Sequence, residues 1–194
     1  MDDKKFDPKK LQKLNNPQRL KDIPPAYIWD KLDMKQADIF VEIGAGTAFF
    51  SLAFLQHAKP EKIYACDVSA VMLNWMAANI VPQYPNIIPV KTAETSVPLA
   101  AETADLVFMI ALHHELCHPD LTIAESYRIL KPGGKIFIVD WKKEDMAEGP
   151  PTRIRCLAAQ VKEQLLHPGF KDVKIFSEMP KHFLVVGTKG GRTR

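Results

Sequence analysis

The sequence predicts an α/β fold, doubly wound around a mostly parallel seven-stranded sheet that finishes with an antiparallel strand. Three observations predict it. Short β-branched runs alternate with longer helix-like runs from residue 38 onward. A glycine pair, Gly44 and Gly46, ends the first strand-like run, where the backbone must turn sharply into a helix. The chain closes on two strand-like runs, KDVKIFSE and HFLVVGTK, joined by a short turn around Met179-Pro180. A parallel crossover needs roughly a dozen residues, so these last two strands should be antiparallel.

The elements follow in order. Residues 1–38 are polar and proline-broken, and read as an N-terminal cap segment with one short helix near Ala26–Leu32, begun by Pro24 and Pro25. DIFVEIG is a buried strand and TAFFSLAFLQHA a helix buried on most sides. EKIYACD is the second strand; SAVMLNWMAANIV is a helix with Ser69 as N-cap and Val71/Trp75 and Met72/Met76 at i,i+4 spacing. NIIPVK and ADLVFMIAL are the third and fourth strands. PDLTIAESYRILK is a helix begun by Pro119 and stopped at Pro132-Gly133-Gly134, after which KIFIVDW is the fifth strand. PPTRIRCLAAQVKEQLLHPG reads as one helix with Ile154, Leu157, Ala158, Val161 and Leu165 on a single face. The folded unit spans residues 39–188, and 189–194 form a basic tail.

Composition bounds the function. The 194 residues suffice for one domain with a sizeable core. With 26 basic and 23 acidic residues, the net charge of +3 does not announce a nucleic-acid or membrane partner. Cys66, Cys117 and Cys156 are far apart and unpatterned, which argues against a disulfide framework or a zinc site. The charged N-terminus lacks the apolar core of a signal peptide, and no apolar run approaches a membrane span. A reducing, cytoplasmic setting is the expectation.

In open α/β sheets, ligands bind beyond the carboxyl ends of the strands, which is where Gly44 and Gly46 fall. Asp67 ends the second strand about 20 residues later, where a carboxylate accepts hydrogen bonds from ribose hydroxyls. A dinucleotide site needs a third glycine, at the position held here by Phe49. An adenosylmethionine site has no pyrophosphate to seat, and its sulfonium would be assisted by the charge of Glu42.

On these residues the chain resembles the class I S-adenosyl-L-methionine-dependent methyltransferases, which have a Rossmann-like fold. VEIGAGTA is similar to the family's first motif, with Ala48 in place of its last glycine; ACDVSAVML is similar to the second. RILKPGGKIFIVD resembles the turn and fifth strand that follow the motifs. The resemblance implies a cofactor site of Glu42, Gly44, Ala45, Gly46, Asp67, Val68, Met72 and Ala111. Val68 and Met72 would lie beside the adenine; ungapped matching puts the family's adenine-side acid at Ala93, so Glu94 is the candidate for that role. The closest branch by resemblance holds the ubiquinone/menaquinone C-methyltransferases, small-molecule enzymes. The N-P-P-Y-type signature of nucleic-acid amino-methyltransferases is absent; the chain reads Ala111-Leu112-His113-His114 there.

For chemistry, His114 is the candidate acceptor-orienting group or general base, because the carboxyl end of the fourth strand borders the methyl site in this fold. His113, its neighbour, should point elsewhere. Asp140 reads as a structural turn acid, and Trp141 as packing or an aromatic wall. No metal is implied. With little sequence left over, the acceptor must be recognised by the N-terminal segment, the short loops or a second subunit. Phe6, Leu11 and Leu14 offer an apolar lid or the ordinary packing of a terminal helix. The competing functions are a nicotinamide-dependent oxidoreductase, disfavoured by Phe49, and a non-catalytic adenosylmethionine-binding protein.

Overall fold

A seven-stranded sheet runs in the order β3-β2-β1-β4-β5-β7-β6. This computed structural model describes residues 11–191, so Phe6 and the end of the basic tail lie outside it. The strands are β1 (Ile39–Ile43), β2 (Lys62–Asp67), β3 (Ile87–Lys91), β4 (Ala104–Ile110), β5 (Leu130–Trp141), β6 (Phe170–Phe176) and β7 (His182–Lys189). All neighbouring pairs are parallel up to β5; β7 pairs antiparallel with both β5 and β6. Strand order reverses between β1 and β4, and in open α/β sheets ligands bind at the carboxyl ends of the strands at such a switch point.

The helices are α1 (Leu11–Leu14), α2 (Gln18–Asp22), α3 (Pro25–Leu32), α4 (Phe49–Ala58), α5 (Ala70–Asn79), α6 (Pro119–Ile129) and α7 (Ala158–Leu166). One face of the sheet is covered by α6 and α7, whose Ile123, Ile129, Val161 and Leu165 meet Val107, Met109, Ile136 and Ile138. The other is covered by α3 and α4, through Ile28, Leu32, Phe50 and Phe54. There Phe54, Phe108 and Phe137 form a triad with ring centroids 4.9–5.5 Å apart. These strands are buried on both faces, which is why they read as continuous apolar runs rather than alternating ones.

Three local expectations are corrected. Helix α6 stops at Ile129, not at the Pro132-Gly133-Gly134 turn, and β5 begins at Leu130, which is already extended (φ −71°, ψ 141°) and pairs with Ala104. Lys131 precedes a proline and is biased away from helix, so the helix has no room to continue. The helix expected from residue 150 is broken: Thr152–Ile154 is a 3₁₀ turn, Arg155 is extended, and α7 starts at Ala158. Leu157 is 51% exposed, so the shared apolar face keeps Ala158, Val161 and Leu165. Ser69 does sit at the N-cap of α5, but its side chain does not cap; Asp67 Oδ1 accepts the Ser69 N–H instead, at 2.8 Å.

Candidate active site

The glycine loop is built by hydrogen bonds to β2. The amides of Gly44 and Ala45 both donate to the carbonyl of Cys66 at 2.9 Å. Gly46 N–H donates to Asp67 Oδ2 at 2.8 Å. The carboxylate of Asp67 is thus aimed by two backbone amides, from Gly46 and Ser69, at the carboxyl edge of the sheet. Burial raises its pKa, against those hydrogen bonds. Both glycines are left-handed, φ +72° and +56°. A Cβ on Gly44 would lie 2.6 Å from the Leu112 side chain, and one on Gly46 would lie 3.0 Å from Leu14. Ala48 carries φ +55° in the position where the family has its third glycine, a conformation that costs an alanine about 1–2 kcal/mol.

Beneath the loop, Glu42 is buried and accepts a short hydrogen bond from the Ser51 hydroxyl. Burial pushes its carboxyl up to about 8, against the bond from Ser51 and the positive charge of Arg19. Beside the loop, Val68 is exposed and Met72 buried, one residue and one helical turn beyond Asp67. Ala93 lies in the loop after β3 and donates its N–H to the Ser96 carbonyl. The carboxylate of Glu94 is directed to the opening of α6, where Oε1 accepts the amides of Cys117 (2.7 Å) and His118 (3.2 Å). Ala111, at φ +54°, turns the chain out of β4 while its N–H holds the Val139 carbonyl.

The turn that follows carries two buried histidines. His113–Glu115 form a single 3₁₀ turn, and the two histidines diverge. His113 Nε2 meets Gln164 Oε1 on α7 at 2.8 Å, and burial lowers its pKa. His114 turns to β5: Nδ1 lies 2.8 Å from Asp140 Oδ1, and its backbone N–H donates to Oδ2 at 3.0 Å. A carboxylate only accepts, so Nδ1 carries the proton and Nε2 is left with a free lone pair in the neutral ring. Nε2 is 3.8 Å from Glu115 Oε1, beyond hydrogen-bond range. Burial alone would lower the His114 pKa, but the bond and charge of Asp140 outweigh it and raise it. The same contact holds Asp140 below the usual carboxylate range although the residue is fully buried. Asp140 is therefore more than a turn acid: it is the orienting partner of His114.

Two further arginines frame the site. Arg155 is buried, donating to the carbonyls of Pro150, Lys142, Glu144 and Glu148 at 2.7–3.2 Å. It gathers the whole loop after β5 against Trp141. Arg19, from α2, lies over the rings of Phe49 and Phe50 at 5.5 and 4.7 Å. Neither arginine has a local sequence pattern that announces it. Asp140 did have a positional signal, at the end of a central strand beside the turn that bears the histidines.

The arrangement fits an adenosyl cofactor without a pyrophosphate. Asp67 presents a carboxylate at the carboxyl edge of the sheet, Glu42 lies buried beneath the loop, and Phe49 fills the place a third phosphate-binding glycine would need. Fold and site together define a class I S-adenosylmethionine-dependent methyltransferase domain. A family profile described as a methyltransferase domain matches residues 41–138, half of the chain, and the chain belongs to that family. A solved S-adenosylmethionine-dependent methyltransferase from Aquifex aeolicus is 31% identical, with TM-score 0.86 over 95% of this chain and 99% of that one. An uncharacterised methyltransferase-like protein of Schizosaccharomyces pombe is 30% identical over 61% of this chain and 44% of its own length. A ubiquinone/menaquinone biosynthesis C-methyltransferase of Cupriavidus metallidurans is 24% identical over 60% of this chain and 50% of its own. The chain thus spans about half the length of these two relatives. The comparisons lend no support to a nicotinamide-dependent enzyme. No helix among the described residues is long and apolar enough to cross a membrane.

Proposed function

We propose that the protein transfers a methyl group from S-adenosyl-L-methionine to a small-molecule acceptor, with His114 as the group that orients the acceptor or takes its proton. The observation that carries this reading is the 2.8 Å contact of His114 Nδ1 with Asp140, which fixes the tautomer and leaves Nε2 as the basic atom. When bound, the cofactor supplies an electrophilic methyl on a sulfonium. The acceptor's nucleophilic atom would gain the methyl, and the cofactor's sulfur would keep the electron pair of the S–CH₃ bond. The acceptor's proton passes to His114 Nε2. The protein's own part is alignment and exclusion of water, worth up to about 7–11 kcal/mol in well-oriented cases. General base help adds roughly 10²–10⁴-fold. Asp67, with Val68 and Met72 beyond it, would seat the adenosine; Glu94 accepts the Cys117 and His118 amides just before α6 with the carboxylate that would serve the adenine.

A small acceptor, rather than a nucleic acid, is supported by the near-balanced charge of +3 and by the sequence Ala111-Leu112-His113-His114 after β4. The test is turnover of labelled S-adenosylmethionine with a panel of hydroxylated and carbon-acid acceptors. His114→Ala should lower kcat by about 10²-fold or more while leaving the affinity for S-adenosylhomocysteine within a few-fold. His113→Gln is the control, because that ring faces α7. Equal, small losses in both variants would reduce the mechanism to alignment alone.

A further inference from the structure

His182 is a buried titratable group that the mechanism above leaves unused. It opens β7, pairs with Trp141 at the carboxyl end of β5, and is 2% exposed. Its ring lies 4.3 Å from the ring of Trp141. Trp141 directly follows Asp140, the partner of His114, so His182 stands at the same end of the sheet as the dyad. Its Nδ1 has no hydrogen-bond partner among the described residues. Native proteins pair nearly all their buried polar atoms, and an orphan of this kind calls for an explanation.

The residue before it ties two segments together. Lys181 Nζ donates to Asp22 Oδ2 of α2 at 3.0 Å and to Glu148 Oε2 in the loop after β5 at 2.7 Å. The Lys142 N–H, where that loop leaves β5, donates to the Lys181 carbonyl at 3.0 Å. The N-terminal segment and the β5 loop are thus clasped at the start of β7. The charges that reach the His182 ring balance: Asp140 of β5 and Asp22 of α2 against Lys181 of β7 and Arg19 of α2. Burial pushes the imidazole down to about 4, so it is uncharged near pH 7. A neutral ring among balanced charges suits an uncharged polar group. A hydroxyl both donates and accepts, so it satisfies Nδ1 in either tautomer.

We infer that His182 Nδ1 binds a hydroxyl of the methyl acceptor, at a position closed by the Lys181 clasp between α2 and the loop after β5. The inference rests on the methyltransferase reading above and narrows its substrate class to uncharged, hydroxylated molecules. Nδ1 is buried while the clasp is made, so the hydroxyl reaches it when the two bonds of Lys181 part, and they re-form behind it. Selectivity follows from the same orphan: a site built to pair a hydroxyl rejects the analogue that lacks one, because the buried protein group is then left unpaired.

The experiment is histidine ¹⁵N NMR on the full chain loaded with S-adenosylhomocysteine, titrated with phenol and with fluorobenzene, which matches phenol in shape without the hydroxyl. The planar probes suit a site walled by Trp141. Phenol should move the His182 ring resonance saturably and bind about 10-fold or more tighter than fluorobenzene. His182→Phe, which removes the orphan, should keep or raise Tm and bring the two probes within about 2-fold of each other. Lys181→Met should speed amide hydrogen exchange in residues 18–22 and 142–148 and leave β4 unchanged. Equal binding of the two probes, a His182 resonance that phenol does not move, or a preference that survives His182→Phe would overturn the inference; unchanged exchange in Lys181→Met would overturn the closure. If His182→Phe does not fold, the wild-type resonance and the paired affinities decide the question. Any of these failures in a protein that binds S-adenosylhomocysteine leaves the cofactor reading standing, whereas a wild type that does not bind it overturns both.

Discussion

Replacing Asp140 by asparagine isolates the charge from the shape of the site. Asp140 Oδ1 accepts His114 Nδ1 (2.8 Å) and the Trp141 amide (2.7 Å), and Oδ2 accepts the His114 amide (3.0 Å). All three partners are donors. An asparagine has one acceptor oxygen, so whichever way it is turned its NH₂ opposes at least one of them inside a buried site. Leaving a buried donor unsatisfied costs about 1–3 kcal/mol. For a domain of this size that is a drop in Tm of about 2–12 °C, at about 2–4 °C per kcal/mol. The electrostatic consequence is separable from the packing one. In the wild type, Asp140 outweighs burial and raises His114; with the charge gone, burial dominates and the imidazole should fall below its ordinary pKa of about 6.5.

The wild-type pair has a definite pH window. Asp140, with its pKa depressed, contributes stability above the unfolded carboxylate pKa of about 3.9, and that contribution is lost as pH falls through the lower folded value. His114, with its pKa raised, contributes fully below about pH 6.5 and loses the contribution as pH rises through its higher folded value. Histidine NMR titration of both proteins needs no acceptor and reads the shift directly. A folded Asp140→Asn variant whose His114 titrates at or above the wild-type value would refute the dyad.

Two other outcomes follow from the cofactor side. Asp67→Ala should weaken S-adenosylhomocysteine binding by one to two powers of ten, roughly 1.5–3 kcal/mol for lost charge-assisted hydrogen bonds; an unchanged calorimetric Kd in a folded variant removes the ribose role. Glu42, pushed up to about 8, is largely protonated at neutral pH, and a cation placed beside it favours the charged form. Cofactor binding should therefore release protons below about pH 8 and tighten as pH rises toward that value. Calorimetry in buffers of different ionisation enthalpy measures this, and proton uptake would contradict the placement of positive charge at Glu42.

The central strands were legible in the sequence because β1, β4 and β5 are buried on both faces and read as continuous apolar runs. The antiparallel finish followed from the shortness of the last connection, whatever its side chains. The two helix ends that went wrong are places where tertiary partners override local pattern. Leu130 leaves α6 to pair with Ala104, and Arg155 leaves the helical register to collect four carbonyls. The glycine loop and Asp67 were legible because backbone turns and strand ends leave marks at fixed spacing. The pairing of His114 with Asp140 was not: the two are 26 residues apart, and only the parallel neighbourhood of β4 and β5 brings them together. Arg19 was silent for the same reason, since nothing near it in sequence tells which loop the segment will cross.

The most direct test is a crystal structure with S-adenosylhomocysteine bound. The account predicts ribose hydroxyls on Asp67 and a thioether sulfur directed toward the turn after β4, with His114 Nε2 facing the space beyond it. A bound ligand whose sulfur points away from that turn, or an Nε2 sealed off behind Glu115, would contradict the assignment of His114 and Asp140 to methyl transfer.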